Sequence, residues 1–273
     1  MKKILLAFDG TQFSDGAFEF ARQLNKSERI LLTGVFLPQV DYSNLWSYAS
    51  GSAGTMFVPL VENAVSETIQ QNIARFEQLC RKNKIDHCVH KEFFDFAIPE
   101  LIRETRFADL LILGSESFYS NIGTAEPNDY FKDVLGAAEC PVLVVPEQFE
   151  FPQHNVLAYD GGASSVYAIK QFTYLFPGFC DNPSLLVAAL EEEESLPEEQ
   201  NIKELTERHF SDLRIQQLEN ESRSYFTSWL TDRKGAILVS GSFGRSTFSQ
   251  LFKKSFVSDV IKEHKLPVFL AHR

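Results

Sequence analysis

Cysteine is scarce in this sequence, and its few copies show no pairing pattern. The 273 residues include four cysteines and no Cys-x-x-Cys pair, so neither a disulfide framework nor a zinc ribbon is indicated. His87 and Cys88 are adjacent, but on a strand they would point to opposite faces, and no further ligand set accompanies them. We therefore expect reduced thiols and no metal site.

Basic residues and long apolar runs are also in short supply. Lys and Arg number 26 against 37 Asp and Glu, a formal net charge of -11, which argues against a nucleic-acid backbone or an anionic membrane as partner. No apolar run approaches the roughly 20 residues of a membrane span. The apolar run that follows Met1-Lys2-Lys3 is too short for a signal peptide. The expectation is a cytoplasmic protein that binds neither membrane nor nucleic acid.

Sequence signatures of catalysis are missing as well. There is no Gly-x-Ser-x-Gly elbow, no Walker A loop and no His-x-x-His motif at the first strand. Asp9 and Asp160 could act as general bases, but a carboxylate that caps a turn or a helix start is the stronger interpretation. We predict no catalytic residue.

What the chain does contain is an internal repeat. Lys-Ile-Leu-Leu-Ala-Phe-Asp-Gly at residues 3–10 returns as Asn-Val-Leu-Ala-Tyr-Asp-Gly at residues 155–161, and each half ends in an apolar run after a Cys-Pro or Leu-Pro step. A repeat of this length, with its signals in a fixed order, predicts two copies of one domain. We place the copies at residues 1–148 and 152–273.

Both copies alternate apolar strand patterns with amphipathic helix patterns. This order predicts an α/β fold of two Rossmann-like domains, each a five-stranded, mainly parallel sheet flanked by helices. The strands are expected at 4–8, 30–37, 87–93, 109–113 and 142–145, and then at 156–159, 185–190, 213–218, 236–240 and 268–271. The helices are expected at 14–25, 61–83, 99–106, 163–176 and 221–231, with one more ending near 210 and another starting near 255.

Residues 38–58 interrupt the repeat with a long excursion rich in small polar and aromatic residues. A loop of this length is more often functional than a routine connection. It could fold over the first domain as a lid or present a patch for a protein partner, and packing over its own domain is the favoured interpretation.

One loop has the features of a phosphate site. Gly241 and Gly244 directly follow a predicted strand and would let the backbone come close to a phosphate. Helix amides and the hydroxyl of Ser255 could hold the phosphate oxygens, while Arg245, Lys253 and Lys254 supply positive charge. On its own the Gly-x-x-Gly spacing is weak, and a simple turn between strand and helix would also explain it.

With the repeat and this loop together, the sequence resembles the universal stress protein family in its tandem two-domain form, with an adenine nucleotide α-hydrolase-like fold. Nucleotide-binding members carry Gly, two residues, Gly, nine residues, then Gly and Ser/Thr; Gly241, Gly244 and Ser255 match, and Lys254 stands where the family has Gly. Lys254 would either close the site or direct its ammonium group at the phosphates. The nucleotide-binding set that the resemblance implies is Asp160, Gly161, Ala189, Gly241, Gly244, Arg245, Lys254, Ser255 and Phe256.

The first copy departs further from the family pattern. Gly114-Ser115-Glu116-Ser117 replaces the paired glycines, and Glu116, Glu126 and Asp129 would place negative charge near any phosphate. The sequence therefore predicts a lost or repurposed site. A pocket for an uncharged or cationic ligand is the alternative. The degenerate set is Asp9, Gly10, Val35, Gly114 and Ser117.

The resemblance implies a stress-response protein that binds ATP or AMP in its second half, with Mg²⁺ accompanying ATP, and that hydrolyses ATP slowly or not at all. It also implies an intramolecular pseudo-dimer in which residues 142–145 pair with residues 268–271, leaves a homodimer open, and suggests an as yet unidentified protein partner. The alternative is a nucleotide-free interaction module in which both sites have decayed.

Overall fold

The fold is described from a computed structural model. The structure describes residues 1–37, 62–91, 97–118, 128–190, 195–219, 228–230, 232–241 and 254–272. The predicted excursion at 38–58, most of the predicted helix at 221–231, and Gly244 and Arg245 lie outside these ranges.

The first half alternates strands and helices as the sequence pattern predicts. Its elements are β1 (Lys2–Phe8), α1 (Asp15–Ser27), β2 (Ile30–Phe36), α2 (Glu62–Asn83), β3 (Asp86–His90), α3 (Ala97–Thr105), β4 (Leu110–Gly114), α4 (Asp129–Ala137) and β5 (Val142–Val145). The strands and helices expected here are confirmed to within a few residues, and α4 is an additional helix that the sequence analysis does not predict.

The second half repeats this order. Its elements are β6 (His154–Tyr159), α5 (Ala163–Leu175), a 3₁₀ turn (Pro177–Phe179), β7 (Ser184–Leu190), α6 (Glu199–Glu207), β8 (Leu213–Glu219), β9 (Ala236–Gly241), α7 (Lys254–Lys262) and β10 (Val268–Ala271). The expected start of a helix near residue 255 is confirmed by α7.

All ten strands form one sheet, in the order β3-β2-β1-β4-β5-β10-β9-β6-β7-β8. Neighbouring strands within each half are parallel, whereas β5 and β10 are antiparallel, with Val144 opposite Val268 and Leu143 opposite Phe269. The predicted pairing of the last strand of each half is thus confirmed, and so is the α/β fold class. This pairing covers two edges that would otherwise be open to aggregation.

The sheet is buried between two helical layers, which explains why its strands are apolar on both faces. Ile4, Leu6 and Phe8 of β1 join one core with residues of α1, α2, α5 and α6. Leu5 and Ala7 join the other core with residues of α3, α4 and α7. Successive side chains of one strand therefore fill opposite cores, as a period of two requires.

Phenylalanine rings join the two halves on one face of the sheet. Phe151, from the segment that connects β5 to β6, lies with its ring centroid 5.2 Å from that of Phe20 in α1 and 5.5 Å from that of Phe179. Phe269 of β10 packs against Phe172 of α5 at 5.5 Å. Ring pairs at these distances add to the stability gained from burial alone, so this core continues across the junction.

Among the described residues, no helix is both long and apolar enough to cross a membrane.

Candidate functional site

The first candidate position is the turn after β1. Oδ1 of Asp9 accepts hydrogen bonds from the backbone N–H groups of Thr11 (2.8 Å) and Gln12 (2.9 Å) and from the Thr11 hydroxyl (3.0 Å). Gly10 has a φ of 88°, which glycine adopts without strain. Asp9 is buried and holds this turn in shape, which agrees with the interpretation of the carboxylate as a turn cap.

The turn after β6 is built in the same way. Oδ1 of Asp160 accepts from the N–H of Gly162 at 2.8 Å, and Gly161 has a φ of 75°. A Cβ atom at Gly161 would lie 2.6 Å from Cβ of Pro197, so the turn also needs glycine for close contact. Asp160 is partly exposed, whereas Asp9 is 5% exposed, so the carboxylate of the second half is more accessible.

The glycines that end β4 and β9 occupy equivalent places. A Cβ atom at Gly114 would lie 2.5 Å from the hydroxyl of Ser14 and would overlap Ser117, and one at Gly241 would overlap the backbone of Ser164 and Ser165. In each half, then, the end of the fourth strand meets the first turn of the first helix. The predicted site residues Asp9, Gly10, Gly114 and Ser117 come together at one edge of the sheet, and Asp160, Gly161 and Gly241 do so in the second half.

Val35 and Ala189, the second-strand residues of the two predicted sets, are not equivalent in the sheet. The side chain of Val35 is fully buried in the same core as Leu5 and Ala7. In the sheet register Val35 lies opposite Ala7, and the equivalent pair in the second half is Val187 and Ala158. The counterpart of Ala189 is instead Leu37, two residues beyond Val35, because strand patterns alone do not reveal register to better than one alternation of faces.

The predicted phosphate loop is framed at both ends. Gly241 ends β9, and Lys254, Ser255 and Phe256 are the first residues of α7. The loop therefore leaves the sheet beside the first turn of α5 and returns at the amino end of a helix. Helix amino ends carry partial positive charge and suit anions.

The amino ends of the first helices differ between the halves. At α1, Oγ of Ser14 accepts from the N–H of Ala17 at 3.2 Å, and the carboxylate of Glu147 accepts from the N–H of Gly16 at 2.9 Å. At α5 the cap is Gly162, which makes no side-chain cap bond, and the first turn of this helix carries no acidic residue. Side chains thus accept hydrogen bonds from the first backbone amides of α1, whereas no side chain caps the start of α5.

The amino end of α4 is likewise capped by the protein itself. Oδ1 of Asn128 accepts from the N–H of Phe131 at 2.8 Å, and its Nδ2 donates to the carbonyl oxygen of Phe118 at 3.0 Å. The side chain is buried, at 9% exposure. By the alignment of Pro141 with Pro267, Asn128 is the first-half counterpart of Lys254.

A carboxylate also accepts hydrogen bonds at the candidate site of the first half. Oε2 of Glu116 accepts from the Ser115 hydroxyl at 2.6 Å and from the N–H of Glu147 at 3.0 Å. Across the junction, Nδ1 of His264 lies 2.8 Å from Oγ of Ser115. The sequence identifies the adverse charge of Glu116. It does not identify Glu147, whose partner Gly16 is 131 positions away, or His264, whose contact depends on how the halves meet.

Tyr159, just before Asp160, connects the turn after β6 to the segment that contains Pro197. Its hydroxyl donates to the carbonyl oxygen of Pro197 at 2.8 Å. Burial raises the pKa of Tyr159, and the negative charges of Glu198 and Asp160 raise the pKa further. The phenol therefore stays protonated and keeps donating at neutral pH.

Metal ligation finds no support in the described part of the chain. No group of three or more His, Cys, Asp or Glu residues there could hold a metal ion. His90 instead pairs with Glu104, with Nδ1 and Oε2 3.0 Å apart, and the four cysteines are free.

No protein-family model and no curated protein matches this sequence. Its fold, however, is shared with solved structures. A universal stress protein from Archaeoglobus fulgidus DSM 4304 superposes with a TM-score of 0.73 at 13% identity, over 100% of this chain and 96% of that one. A functionally unknown protein from Pseudomonas aeruginosa PAO1 gives a TM-score of 0.55 at 13% identity, over 100% and 92% of the two chains. A protein assigned to the universal stress proteins, from Pseudomonas aeruginosa UCBPP-PA14, gives 0.52 at 13% identity, over 100% and 93%.

Proposed function

Because the chain has the fold of the tandem universal stress proteins, we propose that it is a cytoplasmic stress-response protein that binds ATP or AMP in its second half. In this proposal residues 1–148 and 152–273 are two domains of one kind that pair as an intramolecular pseudo-dimer. The second domain holds the nucleotide, and the first serves as its partner within the chain.

The proposal is carried by the contrast between the two helix starts beside the candidate sites. In the first half, Ser14 and Glu147 take up amides at the start of α1, and Asn128 caps α4. In the second half the start of α5 is capped by Gly162 without a side-chain bond. A ligand with phosphate oxygens fits an amino end that has no carboxylate of its own.

Charge in the second half favours the same ligand. Lys254 is the first residue of α7, and Arg245 and Lys253 lie in the loop that leads to it. A lysine at this position can replace the amide contact of the family glycine with a charge-assisted hydrogen bond to phosphate. Asp160 and Gly161 would face the adenosine, and Mg²⁺ would accompany ATP.

The proposal assigns no catalysis to the site. Efficient phosphoryl transfer needs a residue that positions the attacking water and dedicated ligands for magnesium. Asp160, the acidic residue of the candidate site, already holds its own turn through Gly162. ATP would therefore be hydrolysed slowly or not at all, and the bound state itself would be the signal.

For the first half the alternative function has its own support. The side chains of Glu116, Glu147 and Asn128 accept hydrogen bonds from backbone amides that a phosphate would otherwise need as donors. We therefore propose that this half binds no nucleotide and that its surface serves the contact with a protein partner or with a second copy of the chain.

The first experiment identifies any nucleotide that copurifies. Protein prepared without added nucleotide is denatured and removed, and the released adenine nucleotides are separated by chromatography and expressed per mole of chain. About one ATP or AMP per chain supports a single tight site. If none is released, titration calorimetry with ATP and AMP up to millimolar concentrations decides, and the absence of binding there refutes the proposal.

Matched variants then locate the site. Asp160→Asn and Asp9→Asn each keep an Oδ1 acceptor for the turn amides but remove the charge, so both should fold. If the second half binds nucleotide, Asp160→Asn should weaken binding by about tenfold, as expected for losing a hydrogen bond to a charged group, while Asp9→Asn leaves it unchanged. A larger effect of Asp9→Asn would place the site in the first half and contradict the assignment.

A further inference from the structure

His264, in the second half, makes a side-chain contact with the first half. It follows α7 by two residues and has a φ of 47°, a left-handed conformation in which histidine, asparagine and aspartate are the most frequent residues after glycine. Its Nδ1 lies 2.8 Å from the hydroxyl oxygen of Ser115, in the loop after β4. The backbone N–H of His264 donates to the carbonyl oxygen of Ile261 at 3.1 Å, so this conformation belongs to the end of α7.

The contact continues as a chain of hydrogen bonds. The Ser115 hydroxyl donates its only proton to Oε2 of Glu116 at 2.6 Å, so the bond between His264 and Ser115 has Nδ1–H as donor. The same Glu116 oxygen accepts from the backbone N–H of Glu147 at 3.0 Å. His264 therefore connects to the segment after β5 through two residues of the first-half loop.

The antiparallel junction brings these groups together. Because β10 runs opposite to β5, the amino end of β10 lies beside the carboxyl end of β5. His264 precedes β10, and Glu147 follows β5. The loop after the fourth strand of the first half is consequently within reach of the segment that follows α7 in the second.

Helix α7 is placed to carry displacement between the two sites. It begins at Lys254, where the predicted nucleotide loop ends, and it finishes just before His264. Val257, Val260 and Ile261 anchor it in the core with 4% exposure or less. Because close-packed interiors transmit strain, a shift at the amino end of α7 should disturb contacts along its buried face.

We propose that α7 and His264 form a link between the amino end of α7 and the first-half segments 114–118 and 147, so that a change at either end alters the other. Its use in signalling rests on the nucleotide site proposed above, although the link itself exists without nucleotide. By the alignment of Pro141 with Pro267, the first-half position equivalent to His264 is Ala138, whose methyl group cannot donate a hydrogen bond.

The link is tested by a double-mutant cycle in protein without nucleotide. His264→Gly removes the donor and accepts the positive φ without strain, and Val257→Ala loosens α7 near its amino end. The readout is hydrogen–deuterium exchange of the Glu147 and Phe118 amides. Val187→Ala, at a buried valine on β7, which lies three strands from β10 in the sheet, is the matched control for general loss of stability.

Each single variant on the link should raise exchange at these amides about three- to tenfold, as for the loss of one hydrogen bond. Val257→Ala should have no further effect once His264 is Gly, and Val187→Ala should not change these amides selectively. Unchanged exchange in His264→Gly, or an equal effect of Val257→Ala in both backgrounds, would overturn the link.

Saturating ATP separates the two proposals. Protection of residues 254–262 together with changed exchange at 114–118 supports both. Protection of 254–262 alone overturns the link as a signalling route and leaves nucleotide binding intact. No effect at either segment counts against the nucleotide site, and the cycle without nucleotide still decides the link.

Discussion

Gly16 and Pro146 touch so closely that a Cβ atom at Gly16 would overlap the carbonyl oxygen of Pro146. Gly16 lies in the first turn of α1, and Pro146 begins the segment that connects the two halves. The N–H of Gly16 also donates to the carboxylate of Glu147 at 2.9 Å. The start of α1 and the connecting segment are thus fitted to each other through a residue without a side chain.

Gly16→Ala should therefore destabilise the protein by about 1–3 kcal/mol, the range for overpacking a close-fitted contact. The matched control is Gly136→Ala in α4, where an added Cβ meets nothing within 4 Å. Because alanine favours the helix over glycine, this control should stabilise by up to about 1 kcal/mol. Urea unfolding measures both, and equal effects of the two variants would contradict the close fit at Gly16.

The junction between β5 and β10 should be the most sensitive part of the sheet. Phe269 is fully buried and packs against Phe172 and Phe176, with ring centroids 5.5 and 5.7 Å away. Phe269→Ala should cost about 3–5 kcal/mol, visible as a large fall in the melting temperature. Phe107→Ala removes a ring that is 66% exposed and should leave melting almost unchanged. A small effect at Phe269 would mean that the phenylalanine core beneath β10 contributes little to stability.

Asn128 should stabilise the protein as the N-cap of α4. Asn128→Ala removes the acceptor for the N–H of Phe131 and should destabilise by about 1 kcal/mol, the usual value for an N-cap. Asn128→Asp keeps that acceptor but loses the donor to Phe118, so thermal unfolding should place it between wild type and alanine. An aspartate variant as unstable as the alanine variant would assign the effect to the Phe118 contact.

Thiol reactivity should separate one cysteine from the other three. Burial raises the pKa of Cys80 and of Cys140 to about 12 and that of Cys180 to about 11, whereas Cys88 is partly exposed. Since the thiolate is the reactive form, iodoacetamide at pH 8 should label Cys88 first and the others only on unfolding. Peptide mass spectrometry measures this order, and early labelling of Cys80 would show that the core around it opens readily.

The same raised pKa values predict that stability falls in alkali. An unfolded chain loses its thiol protons near pH 9, the ordinary value, while folded Cys80 and Cys140 keep theirs to about pH 12. Proton release then favours the unfolded state, so their contribution is complete below pH 9 and is lost progressively towards pH 12. Cys80→Ala should make the decline of the unfolding free energy above pH 9 shallower, and an unchanged slope would assign the decline to other groups such as tyrosines.

How much of this molecule could be predicted depends on how local each feature is. Strand β1 and helix α1 follow from an apolar run and from Ser14 before an amphipathic stripe, and the structure places them there. Helix α4 is missed because its start depends on Asn128, which reads equally well as a loop residue. The bond between His264 and Ser115 joins residues 149 positions apart, and it arises only once the register of β5 against β10 is set. Val35 and Ala189 prove not to be equivalent for the same reason, since a strand pattern identifies a face but not a position along it.

The pairing of β5 with β10 also depends on the order in which the chain is synthesised. β5 finds its partner only when β10, which ends at Ala271, has left the ribosome. At about 5–20 residues per second, the roughly 125 residues between them take on the order of ten seconds. Throughout that interval the nascent first half exposes the unpaired edge of Val142–Val145, which can pair with a neighbouring chain on the same messenger. We expect the yield of native protein in the cell to depend on how quickly the second half is translated.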